Sequence, residues 1–187
     1  QQNGAVYCVE SAPSSMNPQL YGQGTLGSSL SHQLYDRLLT VNPATQRLEG
    51  ALATGWTISR DGLTYTFTLR KGVQFHRVDW FSPTRGFTAE DVLFSFNRMR
   101  IPSHPYHDIS GGHYPFFDNT GVGQQIRDIR KLSDQQIQFA EPALHIGMVP
   151  GCIGGLAAGF GCRALAVAQA GQLVSELLAA TCQVCHP

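Results

Sequence analysis

The stretch that decides the fold is Trp56-Thr-Ile-Ser-Arg-Asp61-Gly62-Leu-Thr-Tyr65-Thr-Phe67-Thr-Leu69-Arg70-Lys71-Gly72. Two alternating apolar and polar runs flank Asp61-Gly62, a dipeptide that is typical of hairpin turns. Tyr65, Phe67 and Leu69 fall on one side of the second strand, so we expect one face of a sheet to be buried. Lys71-Gly72 predicts the next turn.

Weaker patterns predict the elements before this hairpin. Ala5–Val9 is a short apolar run with β-forming residues and predicts a strand. From Ser28 the leucines follow helical spacing as far as Leu39, and Asn42-Pro43 predicts the end of that helix. Residues 48–52 predict a short turn.

Downstream of the hairpin, Thr88 stands three residues before Asp91, which is the spacing of a capping box, and apolar residues follow at helical spacing. We therefore predict a helix that begins after Thr88. Residues 101–124 are rich in Pro and Gly and predict a loop. Gln125–Leu132 and Gln136–Phe139 predict two strands joined by a tight turn.

Composition limits the function classes. The chain has 187 residues and equal numbers of basic and acidic side chains, 13 of each, so no basic surface argues for binding to nucleic acid. The short basic clusters, such as Arg70-Lys71, are expected to form a solvated surface. The chain opens on a polar stretch without an apolar signal segment, which fits an exported protein after processing.

Several stretches within residues 4–140 together carry a family resemblance. In chain order they are Val6-Tyr7-Cys8, Asn17-Pro18-Gln19-Leu20-Tyr21, Tyr35-Asp36-Arg37-Leu38-Leu39, Trp56 to Val73, Phe75-His76, Phe87 to Phe96, Pro105-Tyr106-His107 and Ser110-Gly111-Gly112. With these stretches the chain resembles the periplasmic peptide-binding proteins of bacterial ABC importers. The dipeptide-binding and Sap-type antimicrobial-peptide-uptake members are the most similar.

The resemblance implies an α/β fold: the mixed-sheet first lobe of a two-lobed periplasmic binding protein of type II. It implies a receptor with no enzymatic activity and no cofactor. Its partners would be short peptides and the membrane permease of the importer, with no nucleic acid and no other membrane contact. Because such receptors are much longer, we expect a truncated form that binds peptides weakly. The resemblance also implies that Cys8 pairs with a distant cysteine absent from this chain.

The resemblance also implies a ligand-binding set. In such receptors the loop after the first strand and the glycine-rich segment behind it border the cleft between the lobes. The alternative is that the glycines serve only a tight turn. By position, the predicted ligand-binding residues are Glu10, Ser11, Ala12, Tyr21, Gly22, Gly24 and Thr25.

Residues 141–187 differ from the rest. They contain three charged residues and four of the five cysteines, and the family pattern stops after Ala140. We therefore divide the chain into a lobe portion, 1–140, and an atypical Ala/Gly/Cys-rich tail, 141–187, and interpret the tail as a frameshift product or a disordered segment. Glycines at four-residue intervals from Gly147 to Gly159 leave a membrane helix as an alternative, although Pro150 interrupts it.

The tail carries the main rival hypothesis. Cys182-Gln-Val-Cys185-His186 matches the C-x-x-C-H pattern of c-type haem attachment, which would make the protein a small secreted electron carrier. A redox pair or a zinc site would need Cys152 and Cys162 at a spacing that zinc sites do not use.

Two further clusters contain side chains that could bind metal or catalyse. His104, His107 and His113 fall in the predicted loop, where a structural role is favoured over a metal site. Glu90 and Asp91 are adjacent carboxylates in the first turn of a predicted helix, where they complement the helix dipole without acid–base catalysis. The sequence therefore predicts no catalytic residues and no metal ligands.

Overall fold

The computed structural model describes residues 17–20 and 34–142. The predicted strand Ala5–Val9 and the tail from residue 143 onward lie outside these residues. Within them the chain forms six strands, three α-helices and two 3₁₀ turns. The strands are β1 (Leu39–Val41), β2 (Leu48–Gly50), β3 (Ala53–Ile58), β4 (Thr64–Leu69), β5 (Asp128–Ser133) and β6 (Gln136–Ala140). The helices are α1 (Ala89–Arg100), α2 (Pro115–Thr120) and α3 (Val122–Gln125), and the 3₁₀ turns are Pro18–Leu20 and Asp108–Ser110.

A four-stranded sheet in the order β3-β4-β6-β5 forms the centre of the fold. The predicted hairpin is confirmed: β3 and β4 pair antiparallel, and Gly62 adopts φ of +77° in the turn between them. The positive φ explains the glycine, because residues with a β-carbon rarely adopt it. β6 lies between β4 and β5, with Phe67 opposite Ile137.

The predicted buried face is also confirmed. Tyr65, Phe67 and Leu69 are buried, and Phe139 of β6 lies beside them with its ring edge-on to Phe67 at a centroid distance of 5.7 Å. Helix α1 covers this face through Phe96, whose ring is 5.0 Å from that of Phe139. Edge-on packing of this kind adds to the stabilisation from burial. All described strand pairs are antiparallel.

Helix α1 begins as predicted. Thr88 caps it, and its side chain accepts a hydrogen bond from the Glu90 amide while the Asp91 carboxylate accepts one from the Thr88 amide at 2.8 Å. Asp91 also forms an ion pair with Arg85 at 2.7 Å. The acidic first turn faces the positive end of the helix dipole, as expected.

Three predictions of local structure are wrong. Leu39, predicted at the end of a helix, begins β1, because the strand pairs with β2 and the preceding Leu38 carbonyl accepts hydrogen bonds from Ala51 and Ala53. Residues 48–50, predicted as a turn, form β2. The predicted loop 101–124 contains α2, the second 3₁₀ turn and most of α3.

Candidate functional site

The structure describes residues next to the predicted ligand-binding set in sequence, and not the set itself. All seven residues of that set lie outside the described residues: Glu10, Ser11, Ala12, Tyr21, Gly22, Gly24 and Thr25. The 3₁₀ turn Pro18–Leu20 falls between their two groups in sequence and is described. The contacts of this turn therefore show where the chain next to the predicted ligand-binding residues is attached to the rest of the fold.

Arg98 of helix α1 holds this turn. Its Nη2 donates a hydrogen bond to Oε1 of Gln19, a polar side chain that is only 5% exposed. Its guanidinium also lies 5.7 Å from the centroid of the Tyr114 ring, within reach of a cation–π interaction. Leu20 packs against the hydrophobic core, and the turn contacts helix α2. The turn is thus attached to the main body by one polar link and one apolar contact.

Tyr114 and His107 extend this attachment. The Tyr114 hydroxyl donates to the His107 carbonyl at 2.8 Å, and His107 Nδ1 lies 2.7 Å from the Arg98 carbonyl, to which it donates. Burial raises the pKa of Tyr114, and the positive charge of Arg98 opposes this rise. The loop after α1 is therefore tied back to α1 itself, on the side where Gln19 binds. We call Gln19, Arg98, His107 and Tyr114 the anchor cluster.

The three histidines of the predicted loop have separate partners. His104 stacks edge-on against Phe94 at 5.2 Å, His107 belongs to the anchor cluster, and His113 Nδ1 lies 2.7 Å from the Asp118 carboxylate. In the described residues no three His, Cys, Asp or Glu side chains come together as a metal site.

A groove with aromatic walls lies beside the segment that follows β4. Its volume is about 640 Å³, and its apolar walls are Tyr35, Phe75, Val78, Trp80, Phe81 and Pro83. Val78 and Phe81 exchange two backbone hydrogen bonds, of 2.9 and 3.0 Å, which hold the short turn that presents Trp80. The Trp80 side chain is 87% exposed. We call this the aromatic groove.

A second groove is lined by an overlapping part of the same segment. Its volume is about 690 Å³, and its lining includes the cations Arg70, Lys71 and Arg77 and the carboxylate of Asp36. Phe75 and His76 line both grooves. We call this the cationic groove. Of these charged residues, Arg70 and Lys71 were predicted to belong to a solvated surface.

A buried ionisable pair lies at the end of the sheet. Tyr65 on β4 and Glu141 just after β6 are neighbours, and the Tyr65 hydroxyl oxygen and Glu141 Oε1 are both buried. Burial raises the pKa of Tyr65 to about 12, and the nearby Glu141 carboxylate adds to this rise. Burial also raises the pKa of Glu141, which Tyr65 partly offsets.

Sequence reasoning missed the anchor cluster and both grooves. The anchor cluster joins residues up to 95 positions apart in the chain, from Gln19 to Tyr114, and no local pattern reports such a contact. The grooves had a signal in the sequence: Trp80 and Phe81 stand together in a loop that has basic residues on both sides. Adjacent aromatic residues in a loop indicate either a covered interface or a binding surface.

Comparison with known proteins places this fold. Over 137 residues the chain is 44% identical to the heme-binding protein A of Haemophilus influenzae, and the match covers 73% of the chain and 25% of that protein. It is 40% identical over 139 residues to the peptide transport periplasmic protein SapA of Salmonella typhimurium, covering 74% of the chain and 25% of that protein. The chain therefore spans about a quarter of the length of these relatives.

The structure shows the same relationship. It matches the crystal structure of a dipeptide-binding protein from Pseudoalteromonas sp. SM9913 in complex with Met-Leu, with a TM-score of 0.68 and 45% identity, over 72% of the chain and 27% of that protein. The predicted α/β fold of a two-lobed periplasmic binding protein is thereby confirmed.

The rival hypotheses lie in the tail. Cys182, Cys185 and His186 are outside the described residues, and the comparisons do not support the electron carrier. The predicted alternative of a membrane helix also falls outside; no helix in residues 34–142 is long and apolar enough to cross a bilayer.

The profile of the family described as "Bacterial extracellular solute-binding proteins, family 5 Middle" matches residues 47–152. The chain belongs to this family of solute-binding proteins.

Proposed function

We propose that the chain is part of the substrate-binding component of an ABC-type importer, which captures short peptides in the periplasm and delivers them to the membrane permease. The observation that carries this proposal is the match to a dipeptide-binding protein solved with Met-Leu, at 45% identity over most of the chain. The name of the SapA relative, a periplasmic peptide transport protein, supports both the peptide and the compartment. On this proposal the protein is a receptor and performs no catalysis.

The described residues have a supporting role in this function. The sheet and α1 share one hydrophobic core, and the anchor cluster links the turn Pro18–Leu20 to α1. The predicted ligand-binding residues flank that turn, namely Glu10 to Ala12 before it and Tyr21 to Thr25 after it. Short peptides are held in such sites by backbone hydrogen bonds and paired terminal charges. The division into a lobe portion, 1–140, and a tail, 141–187, belongs to the same proposal.

A graft tests this proposal. Residues 4–140 would replace the matching quarter of the dipeptide-binding protein from Pseudoalteromonas sp. SM9913, and calorimetry would measure Met-Leu binding by the chimera and by the parent. We expect the chimera to keep the parent's affinity within about tenfold, or about 1.4 kcal/mol. The 187-residue chain alone is expected to bind Met-Leu much more weakly than the chimera, because it spans only about a quarter of its relatives.

Two variants of the chimera make the test specific. Tyr21→Ala with Glu10→Ala changes the predicted set and is expected to weaken Met-Leu binding by tenfold or more. Arg47→Gln with Arg60→Gln changes two exposed residues in turns and is expected to leave it unchanged. A folded chimera that does not bind Met-Leu would refute the proposed function. A chimera that binds equally well with and without the first pair would refute the predicted site alone.

A further inference from the structure

The two grooves differ in chemistry but share a wall. Phe75 and His76 line both, and each groove has a volume within the range of about 300–1,000 Å³ that is common for small-molecule sites. The segment between β4 and α1 therefore contributes both to a groove rich in aromatic side chains, which the ion pair of Arg85 and Asp91 also lines, and to a groove rich in cations.

The aromatic groove exposes more apolar surface than folding requires. Trp80 is 87% exposed, Phe81 is 48% exposed, and their rings lie 6.3 Å apart at a tilt of 43°. Neither residue belongs to the hydrophobic core. The two backbone hydrogen bonds between Val78 and Phe81 nevertheless fix this turn. The result is a preformed aromatic surface suited to stacking against a flat apolar group.

The cationic groove has positive charge that the described residues do not neutralise. Lys71 and Arg77 form no ion pair within residues 17–20 and 34–142. Arg70 donates through Nε to the Ala51 carbonyl at 3.1 Å, which fixes its position on the wall of the groove. Three cations and one carboxylate, Asp36, leave this groove with an excess of positive charge. Such a site favours an anion, above all a carboxylate.

We propose that the two grooves form one binding site for an amphipathic carboxylate, a small molecule with a flat apolar body and a negative charge at one end. The apolar body would stack against Trp80 and Phe81, and the carboxylate would pair with Lys71 and Arg77. Phe75 forms the apolar floor between them, since it packs partly against the core. This site goes beyond the proposed peptide function and does not depend on it, because none of its residues belongs to the predicted peptide-binding set.

A matched pair of fluorescent probes tests the site on the 187-residue chain. 1-Pyrenebutyrate has a flat apolar body and a carboxylate, and 1-pyrenebutanol has the same body without the charge. Pyrene accepts energy from tryptophan, so titration followed by energy transfer gives a Kd for each probe. We expect pyrenebutyrate to bind about tenfold more tightly than pyrenebutanol, or about 1.4 kcal/mol. Because charge pairing at an open site is screened by salt, 0.5 M NaCl should remove most of that difference.

Variants assign the binding to the grooves. Lys71→Gln with Arg77→Gln should weaken pyrenebutyrate binding about tenfold and leave pyrenebutanol unchanged. Trp80→Phe should weaken both probes, a change followed by the anisotropy of pyrene. Arg47→Gln with Arg60→Gln removes two charges outside the grooves and should change neither Kd by more than twofold. Circular dichroism would verify that each variant is folded.

Three results would overturn the proposal. The first is equal affinity of the wild-type chain for the acid and the alcohol, a result that needs no variant. The second is equal weakening by the groove variants and by the control pair. The third is the absence of saturable pyrenebutyrate binding. Met-Leu binding by the grafted chimera is a separate readout, so failure here leaves the peptide proposal unaffected.

Discussion

The sheet core and the segment between β4 and α1 use the same kinds of residue in opposite ways. In the core, Phe67 and Phe139 are fully buried and lie within a registered antiparallel ladder. In the segment, Trp80 and Phe81 are largely exposed and are held only by the short turn between Val78 and Phe81. The difference teaches that position in the strand ladder, and not aromatic character, decides which of these side chains form the core of the described residues.

Truncating an aromatic side chain in each region gives the largest expected contrast. Phe139→Ala should lower the free energy of unfolding by about 3–5 kcal/mol, because it removes a ring that packs against Phe67 and Phe96. Trp80→Ala should change it by about 0.5 kcal/mol or less, as is usual for exposed positions. Urea denaturation followed by circular dichroism measures both. A loss at Trp80 close to that at Phe139 would mean that the segment is part of the core.

The anchor cluster connects the turn Pro18–Leu20 to helix α1. Arg98→Met keeps much of the side-chain volume but removes the donor to Gln19 and the charge over Tyr114. We expect a loss of about 1–3 kcal/mol in the free energy of unfolding, as for a partly buried charged hydrogen bond. Arg130→Met at the exposed edge of the sheet is the control, with an expected loss below about 1 kcal/mol. Equal losses would show that the anchor contributes no more than a surface ion pair.

The helix cap tests the boundary between the two regions. Thr88 ends the exposed segment and begins α1, so Thr88→Ala should cost about 1 kcal/mol in unfolding free energy. Ser82→Ala lies a few residues earlier in the exposed segment and should have almost no effect. If the two substitutions were equally tolerated in urea denaturation, the capping box would contribute nothing to the start of the scaffold.

The buried pair at the end of the sheet gives the smallest expected effect. Burial raises the pKa of Glu141 above its ordinary value of 4.5, so the folded chain binds this proton more tightly than the unfolded chain. The stabilisation of the folded chain by the protonated Glu141 is therefore complete below pH 4.5 and is lost as the pH rises through the raised pKa. The free energy of unfolding of the wild type should therefore fall relative to that of Glu141→Gln as the pH increases.

A second variant checks the cause of that change. Tyr65 partly offsets the rise in the pKa of Glu141. In Tyr65→Phe the fall in the free energy of unfolding with pH should therefore occur at higher pH than in the wild type. The measurement is urea denaturation at a series of pH values for the three proteins. If the free energies of unfolding of the wild type and Glu141→Gln varied in parallel with pH, the pKa of this carboxyl group would not be changed by folding.

The sequence predicted the elements whose signals are local. The hairpin at Asp61-Gly62, the buried face of β4 and the cap at Thr88 each depend on residues within a few positions of one another, and all three are confirmed. The predicted helix was wrong at its end, because Leu39 begins β1, which exists only through its pairing with β2, at residues that no spacing rule connects. The helices after α1 were missed because they are only six and four residues long and lie in a segment, residues 101–124, that is rich in Pro and Gly.

The site was less predictable than the fold. The predicted ligand-binding residues came from the family resemblance alone and stay a prediction. The anchor cluster depends on a contact between Gln19 and Arg98 that is distant in sequence. The grooves depend on which aromatic side chains the core leaves exposed, and composition does not determine that choice.

Hydrogen exchange on the 187-residue chain tests the central contrast most directly. Amides of β4 and β6 donate within the sheet, whereas within residues 74–86 the recorded backbone donors to carbonyl groups are Val78 and Phe81. Slow exchange is therefore predicted for β4, β6 and the body of α1, and fast exchange for residues 74–77 and 82–86. Equal protection of these two groups of amides would contradict the division into a scaffold and an exposed binding segment.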